Sequence, residues 1–140
     1  MQVSYHKRKP VEGSPYLYTE SVHGLAQWAD FLIVTVAGGE QTRHLIDANV
    51  LDALGPTAFL INVARGSVVD ERALVHALQD GRIAGAGLDV YEDDPRPYPG
   101  LEAMDNVVLA PHIGSGTHAT RHAMADWVLE NIRTWPPVVR

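Results

Sequence analysis

The chain has 140 residues, of which 46% are hydrophobic and 20% are charged, so it is long enough for one globular domain and too apolar to be a disordered chain. Eleven Lys and Arg residues against seventeen Asp and Glu residues give a formal net charge of -6, which argues against non-specific binding to nucleic acid. The chain has no cysteine, which excludes disulfide bonds and thiolate chemistry. It has neither an apolar signal segment nor an apolar run of the roughly 20 residues that span a bilayer, so we expect a cytoplasmic protein.

Short strands and one helix are predicted in the first part of the chain. In chain order these elements are a strand over 2–5, a strand over 16–19, and a helix over 22–29 that Ser21 caps. The basic run His6-Lys7-Arg8-Lys9 follows the first strand. The continuous apolar run at 31–36 is typical of a parallel strand that is buried on both faces.

Helices and strands alternate through the rest of the chain. They are helices over 48–54 and 71–79, which Asp47 and Asp70 cap, strands over 58–63, 83–90 and 107–110, and a long helix over 117–135 that Pro136 and Pro137 end. This alternation predicts an α/β fold with a doubly wound parallel sheet. Ligands of such sheets bind at the carboxyl ends of the strands.

Four motifs lie at or just beyond predicted strand ends. They are Asn62-Val63-Ala64-Arg65-Gly66, Gly87-Leu88-Asp89-Val90-Tyr91, Asp94-Pro95 and Pro111-His112-Ile113-Gly114-Ser115. In order and spacing they resemble the cofactor-domain signatures of the D-isomer-specific 2-hydroxyacid dehydrogenases. The segment 38–46 is most similar to the glyoxylate and hydroxypyruvate reductase branch. The resemblance covers nearly the whole chain and implies a Rossmann-like domain of an NAD(P)-dependent oxidoreductase.

Reduction of a 2-oxo acid needs a cation for the substrate carboxylate and an acid for the developing alkoxide. Arg65 suits the first role because a guanidinium binds a carboxylate through two parallel hydrogen bonds. His112 suits the second role because an imidazole gives and takes protons near neutral pH. The resemblance assigns the same two residues to catalysis.

The resemblance also implies a third catalytic residue, a glutamate that precedes a proline. Here that position holds Asp94, before Pro95, which keeps the charge but shortens the side chain by one methylene. Either the loop moves to compensate or the pair with His112 is weaker. Glu92 lies nearby but is out of register with the family's acid, so we give it no catalytic role.

The resemblance implies a set of cofactor contacts along the strand ends. Asp89 is expected near the nicotinamide carboxamide, and Val63 and Ala64 near the nicotinamide through their main chain. The other expected contacts are Val36, Ala37, Thr42, Gly114 and Ser115.

The basic run predicts the cofactor preference. An NAD-preferring relative carries an acidic residue at the end of the second strand of the domain, where this chain has His6. Lys7 and Arg8 are therefore predicted to bind the 2′-phosphate of NADP, with NAD the alternative cofactor. The same run is also compatible with a solvated turn.

The glycine-rich turn that should hold the cofactor pyrophosphate has no counterpart in this sequence. Gly114-Ser115-Gly116-Thr117-His118-Ala119 fits the pattern G-x-G-x-x-A, but only one helix follows it, so it cannot open a βαβ unit. We therefore predict an incomplete dinucleotide-binding domain over 1–112 and a helix over 113–140 that returns toward a largely absent substrate domain. A full-length form is expected to be a homodimer.

Two other interpretations remain open. An inactive fragment of a dinucleotide-binding domain, or a regulatory binding module with the same fold, would also lack the glycine-rich turn. His118 and His122 lie one helical turn apart, a spacing that binds zinc only with a third ligand, so we predict two exposed histidines and no metal site.

Overall fold

Two parallel sheets form the strand layer of the computed structural model, which describes residues 1–135. The smaller sheet pairs β1 (Ser4–Tyr5) with β2 (Leu17–Tyr18). The larger sheet has the order β3-β4-β5-β6, and its strands are β3 (Phe31–Val34), β4 (Phe59–Asn62), β5 (Gly85–Leu88) and β6 (Val107–Leu109). The predicted Rossmann-like α/β fold is confirmed.

Four α-helices connect or follow these strands within residues 1–135, and each begins after a capping side chain. They are α1 (Val22–Trp28), α2 (Ala48–Leu54), α3 (Glu71–Gln79) and α4 (His118–Thr134), capped by Ser21, Asp47, Asp70 and Thr117. Each capping oxygen accepts a hydrogen bond from the backbone N–H three residues further on, which satisfies a donor that has no partner within the helix. The predicted bounds of α2 and α3 are confirmed.

The hydrophobic core lies between helices α1 to α3 and one face of the larger sheet. Its largest fully buried side chains include Leu51 of α2, Leu60 of β4 and Leu74 of α3. Burial of side chains of this size stabilises the fold by about 1.5–3 kcal/mol each. The helix layer therefore fixes the sheet, and with it the loops that leave the carboxyl ends of the strands.

The prediction that the run at 31–36 is buried on both faces is wrong. Leu32 and Val34 are buried, whereas Phe31 and Ile33 are each 59% exposed. Helices α1 to α3 cover only one face of the sheet, and no element among residues 1–135 covers Phe31 and Ile33 on the other. The Phe31 ring instead stacks on Phe59 of β4, with the ring centroids 5.3 Å apart.

The strands are also shorter than the apolar runs that predict them. β3 ends at Val34, β4 at Asn62 and β5 at Leu88, because each strand persists only where its neighbour pairs with it. Beyond these points the chain leaves the sheet as loops. The loops meet at one edge, where parallel α/β sheets hold their ligands.

Helix α4 buries none of its side chains. Its large apolar side chains are 49–70% exposed and comprise Met124, Trp127, Val128, Leu129 and Ile132. The predicted end of this helix at Pro136 and Pro137 lies outside the described residues. None of the described helices combines the length and the apolar character needed to span a membrane.

Candidate functional site

A cavity of about 680 Å³ opens at the carboxyl ends of β3, β4 and β5. Residues that the sequence predicts as site residues supply half of its lining: Val36, Ala37, Val63, Ala64, Arg65, Asp94 and His112. The other lining positions carry no predicted role: Thr35, Gly38, Gly66, Ser67, Val90, Tyr91 and Glu92. The three side chains predicted to be catalytic therefore share one cavity.

The loop after β4 carries Arg65, and a buried amide shapes it. Asn62 is 1% exposed, and its side chain donates to the Arg65 carbonyl and accepts from the Ala64 N–H, both at 3.0 Å. These bonds satisfy the buried amide and hold the turn closed. The Arg65 Nη1 donates to the Ala64 carbonyl at 2.6 Å, which leaves the rest of its guanidinium fork for a ligand.

The imidazole of His112 is paired with the carboxylate of Asp94. The distance from His112 Nδ1 to Asp94 Oδ2 is 2.5 Å, so the shorter acidic side chain does reach the imidazole. A carboxylate accepts hydrogen bonds, which makes Nδ1 the donor and leaves Nε2 free. The arrangement has the chemistry of an oriented general acid and base.

The backbone of His112 is left-handed, with φ of 55°. Such a conformation costs about 1–3 kcal/mol in a residue other than glycine and persists only where neighbours hold it. Asp89 provides that hold, because its two carboxylate oxygens accept from the N–H groups of Ile113 and Gly114, both at 2.8 Å. Asp89 thus anchors the loop that presents His112.

The other predicted cofactor residues lie outside the cavity lining. Thr42 donates its hydroxyl to the Ala37 carbonyl at 2.8 Å and so braces the loop after β3. Ser115 is partly buried in the turn before α4, and Lys7 and Arg8 are exposed after β1. Contact of these residues, and of Asp89 and Gly114, with a cofactor stays a prediction.

Two loops approach closely at Gly66. A Cβ atom there would lie 1.8 Å from the Tyr91 carbonyl carbon and 2.2 Å from the Glu92 nitrogen. Both are backbone atoms that cannot rotate away. The position therefore requires glycine for close contact between the Arg65 loop and the segment that leads to Asp94.

We predict that Gly66→Ala lowers the free energy of unfolding by about 3 kcal/mol or more, because overpacking against backbone forces the loops apart. Urea denaturation measures this change. Gly87→Ala in β5 is the matched control, since a Cβ there would meet only Cδ1 of Ile61, at 3.1 Å, at the end of a flexible side chain. Equal losses for the two variants would contradict the close contact.

Glu92 also lines the cavity, although the sequence gives it no role. Its Oε1 accepts from Nη2 of Arg43 at 2.5 Å and lies 3.3 Å from Nε2 of His44. Its backbone N–H donates to the buried Glu71 at 2.9 Å. These partners lie 21 to 49 residues away in the chain, so no local pattern indicates them.

Burial shifts the pKa of Tyr91, which lines the cavity, and of Glu71, which contacts the cavity residue Glu92. Glu71 is 3% exposed, and burial raises the pKa of its carboxyl; the hydrogen bond from the Glu92 N–H opposes this shift, and the negative charges of Glu92 and Asp93 add to it. Burial also raises the pKa of the Tyr91 hydroxyl, helped by the charge of Asp89. That hydroxyl donates to the Ala110 carbonyl at 2.7 Å and so ties the Tyr91 segment to the end of β6.

The raised pKa of Glu71 predicts a pH-dependent stability. The ordinary value is 4.5. Between that value and the higher pKa of the folded state, the folded protein binds more protons than the unfolded chain, so stability falls as pH rises through the window. Glu71→Gln cannot ionise. We expect the free energy of unfolding of Glu71→Gln minus that of wild type to increase as the pH is raised from below 4.5 to neutral. Urea titrations across this range measure that quantity. A value that does not change with pH would contradict the prediction.

Among residues 1–135, no three His, Cys, Asp or Glu side chains come together in an arrangement that could hold a metal ion. His118 and His122 of α4 therefore have no third ligand within that part of the chain.

Comparison with known proteins matches residues 1–114 to a family described as D-isomer specific 2-hydroxyacid dehydrogenase, NAD binding domain. The chain is 47% identical over 130 residues to glyoxylate/hydroxypyruvate reductase A of Arabidopsis thaliana, covering 93% of this chain and 42% of the relative. It is 44% identical to 2-ketogluconate reductase of Gluconobacter oxydans, covering 94% of this chain and 43% of the relative.

Comparison with solved structures also finds a glyoxylate/hydroxypyruvate reductase. The NADPH-dependent glyoxylate/hydroxypyruvate reductase of Sinorhizobium meliloti, in complex with NADP and malonate, superposes with a TM-score of 0.91 at 47% identity. The superposition covers 98% of this chain and 43% of that one. The chain thus spans less than half the length of the relatives that it matches.

Proposed function

Because this chain belongs to the D-isomer specific 2-hydroxyacid dehydrogenase family, we propose that it supplies the cofactor-binding part of an NADP-dependent reductase of small 2-oxo acids. Glyoxylate and hydroxypyruvate are the proposed substrates, since relatives from Arabidopsis thaliana and Sinorhizobium meliloti are named for both. The observation that carries the proposal is the single cavity that Arg65 shares with the hydrogen-bonded pair of His112 and Asp94.

Arg65 binds the substrate in this proposal. Its guanidinium lies at the end of β4, in a loop that Asn62 holds closed, and it keeps donors free toward the cavity. A guanidinium pairs with the carboxylate of a 2-oxo acid through two hydrogen bonds, and its charge polarises the adjacent ketone. Arg65 thereby stabilises the negative charge that develops on the ketone oxygen.

His112 supplies the proton. In the reduction direction the imidazolium donates from Nδ1 to Asp94 and from Nε2 to the ketone oxygen. As the carbonyl carbon accepts a hydride, the Nε2 proton moves to the oxygen, and the product is the 2-hydroxy acid with a neutral imidazole. Asp94 holds the ring and stabilises its charged form, and the reverse reaction returns the proton to Nε2.

The cavity fits the nicotinamide end of the cofactor. Small apolar residues after β3 and β4 (Val36, Ala37, Val63 and Ala64) line it together with the ionisable groups, which suits a flat ring held beside a reacting carbonyl. NADPH supplies the hydride when it is bound there. The pyrophosphate end has no matching glycine-rich turn between a strand and a helix within residues 1–135.

The basic loop after β1 supports the choice of NADP over NAD. We predict that Lys7→Ala and Arg8→Ala each raise the Kd for NADPH roughly tenfold while leaving the Kd for NADH unchanged, because each cation contributes a charge-assisted hydrogen bond to the 2′-phosphate. Fluorescence titration with the two cofactors measures the difference. Lys9→Ala, from the same basic run, is the control, and a parallel loss of NADH affinity would contradict the assignment.

We propose that residues 1–112 form part of the dinucleotide-binding domain and that residues 113–140 lead toward a substrate domain. The exposed apolar side chains of α4, including Trp127 and Ile132, support association with further protein surface. A homodimer of the full-length form is the proposed arrangement, and sedimentation equilibrium of that form measures it.

The test of the function is NADPH oxidation with glyoxylate or hydroxypyruvate. It is run on the 140-residue chain and on a chimera in which the N-terminal part of the Sinorhizobium meliloti relative precedes it. We expect turnover in the chimera. A folded chimera that binds NADPH but reduces neither acid would contradict the proposal and favour an inactive or regulatory module.

A further inference from the structure

One peptide unit connects the loop that carries Arg65 to the segment that carries Asp94. It is the peptide between Tyr91 and Glu92, whose carbonyl carbon and nitrogen lie against Gly66. Arg65 directly precedes Gly66, and Asp94 follows Glu92 by two residues. The placement of this peptide therefore sets how the cation and the acid–imidazole pair lie relative to each other.

Glu71 binds that peptide through a hydrogen bond. It is the first residue of α3, is 3% exposed, and accepts from the Glu92 N–H at 2.9 Å through Oε1. The helix beneath it is fixed by its Asp70 cap and by the buried Leu74. Glu71 is thus a fixed acceptor for a backbone N–H in an irregular loop.

The side chain of Glu92 has its own partners, separate from the contact between its backbone and Glu71. Arg43 and His44 bind its carboxylate, and their own segment is fixed by a hydrogen bond from the His44 N–H to the Ser67 carbonyl at 2.9 Å. The residues that follow have weaker support, since Asp93 and Arg96 are exposed and pair with each other. The position of Asp94 therefore depends on how firmly Glu92 is anchored.

We propose that Glu71 is a positioning residue, which holds the Glu92 peptide so that Asp94 stays within hydrogen-bond distance of the His112 imidazole. The inference rests on the proposed function in so far as that function assigns the proton transfer to His112. The contacts at Glu71 stand independently of which 2-oxo acid is the substrate.

The cost of burying Glu71 supports a role beyond packing. Burial raises the pKa of the carboxyl, which means that the folded protein keeps a poorly solvated acid where an apolar side chain would pack without that cost. A carboxyl accepts the Glu92 N–H whether or not it is ionised, so the hydrogen bond persists across pH.

The decisive variants are Glu71→Leu, which removes the acceptor, and Glu71→Gln, which keeps one in a side chain of similar shape. Long-range ¹H–¹⁵N NMR spectra of the 140-residue chain report the tautomer of the neutral His112 imidazole, which is assigned by loss of its signals in His112→Asn. We expect a single Nδ1–H tautomer in wild type and Glu71→Gln, and a mixture of tautomers in Glu71→Leu. Exchange of the Glu92 amide hydrogen accelerates only in Glu71→Leu.

A wild-type tautomer in folded Glu71→Leu would overturn the proposal. If that variant does not fold, Glu71→Asp replaces it. The shorter side chain moves the carboxylate away from the Glu92 N–H, while the helix keeps its acidic first residue. An unchanged His112 tautomer in Glu71→Asp would equally overturn the proposal. In the active chimera, Glu71→Leu lowers kcat roughly tenfold at unchanged KM, as misplacement of a catalytic group does, and Glu71→Gln restores it.

The spectra need neither cofactor nor turnover. Failure of every variant, wild type included, to oxidise NADPH would count against the proposed function. The tautomer of His112 would still decide the role of Glu71.

Discussion

Arg65→Ala is expected to lower kcat/KM for NADPH-dependent reduction of glyoxylate by about three orders of magnitude, since removal of one group that stabilises the developing oxyanion costs that much in other enzymes. Arg65 is the arginine that lines the described cavity, and Asn62 holds its loop in place through two hydrogen bonds. The lost group binds both the carboxylate and the developing charge, so KM rises and kcat falls together.

Two further variants separate charge from shape at this position. Arg65→Lys keeps the positive charge but loses the two-pronged geometry, so we expect it to recover only part of the activity. Arg121→Ala removes an exposed arginine of α4 and is the control for a general effect of losing a cation. An Arg65→Ala enzyme with kcat/KM within a few-fold of wild type would exclude Arg65 from the reaction. Steady-state assays in the chimera, with circular dichroism to verify folding, provide the measurement.

Local chemistry made the helices predictable. Asp47 and Asp70 cap α2 and α3 with bonds that span three residues, and both helices have their predicted bounds. The hydrogen bonds that determine where the strands end join residues much further apart in the chain. The pairing of neighbouring strands, which stops β5 at Leu88, joins residues that lie 26 positions apart toward β4 and 21 positions apart toward β6, so the apolar run itself does not indicate it.

The exposure of β3 could not be predicted for a related reason. The run at 31–36 is apolar on both faces, but only the face toward helices α1 to α3 is covered within residues 1–135. Composition reports what a side chain prefers, whereas burial depends on which element reaches it. Phe31 and Ile33 are apolar and yet exposed, because no element within residues 1–135 packs on their face of the sheet.

The candidate site divides in the same way. Chemistry and the family resemblance predicted Arg65 and His112, and the resemblance alone predicted Asp94; parallel topology brings the strand ends that carry them to one edge, where all three line the cavity. The motifs could not tell that the shorter Asp94 reaches His112, nor that Asp89 binds the backbone beside it. Those contacts depend on the paths of the loops. The position of Glu71 depends on helix α3, which lies outside the motifs.

Loss of the acid–imidazole pair is the second large effect that we predict. His112→Gln is expected to lower kcat by about 10²–10⁴-fold, the usual contribution of a positioned general acid. Asp94→Asn leaves the imidazole in place but replaces an acceptor of the Nδ1 proton with an amide that can also donate, so the wrong tautomer becomes accessible and kcat falls by a comparable factor. Substrate KM changes little in both, because Arg65 still binds the carboxylate.

The neighbouring acids supply the controls that make this prediction sharp. Asp93→Asn removes the adjacent carboxylate, which pairs with Arg96 and does not touch His112, so its kcat should stay near that of wild type. Asp94→Glu introduces the acid that the family pattern carries and should retain activity, since the loop already brings the carboxylate within 2.5 Å of Nδ1. If Asp93→Asn and Asp94→Asn lowered kcat equally, the effect would belong to the net charge of the loop. Only a selective loss in Asp94→Asn assigns the proton transfer to the pair, because the two variants remove the same charge one residue apart.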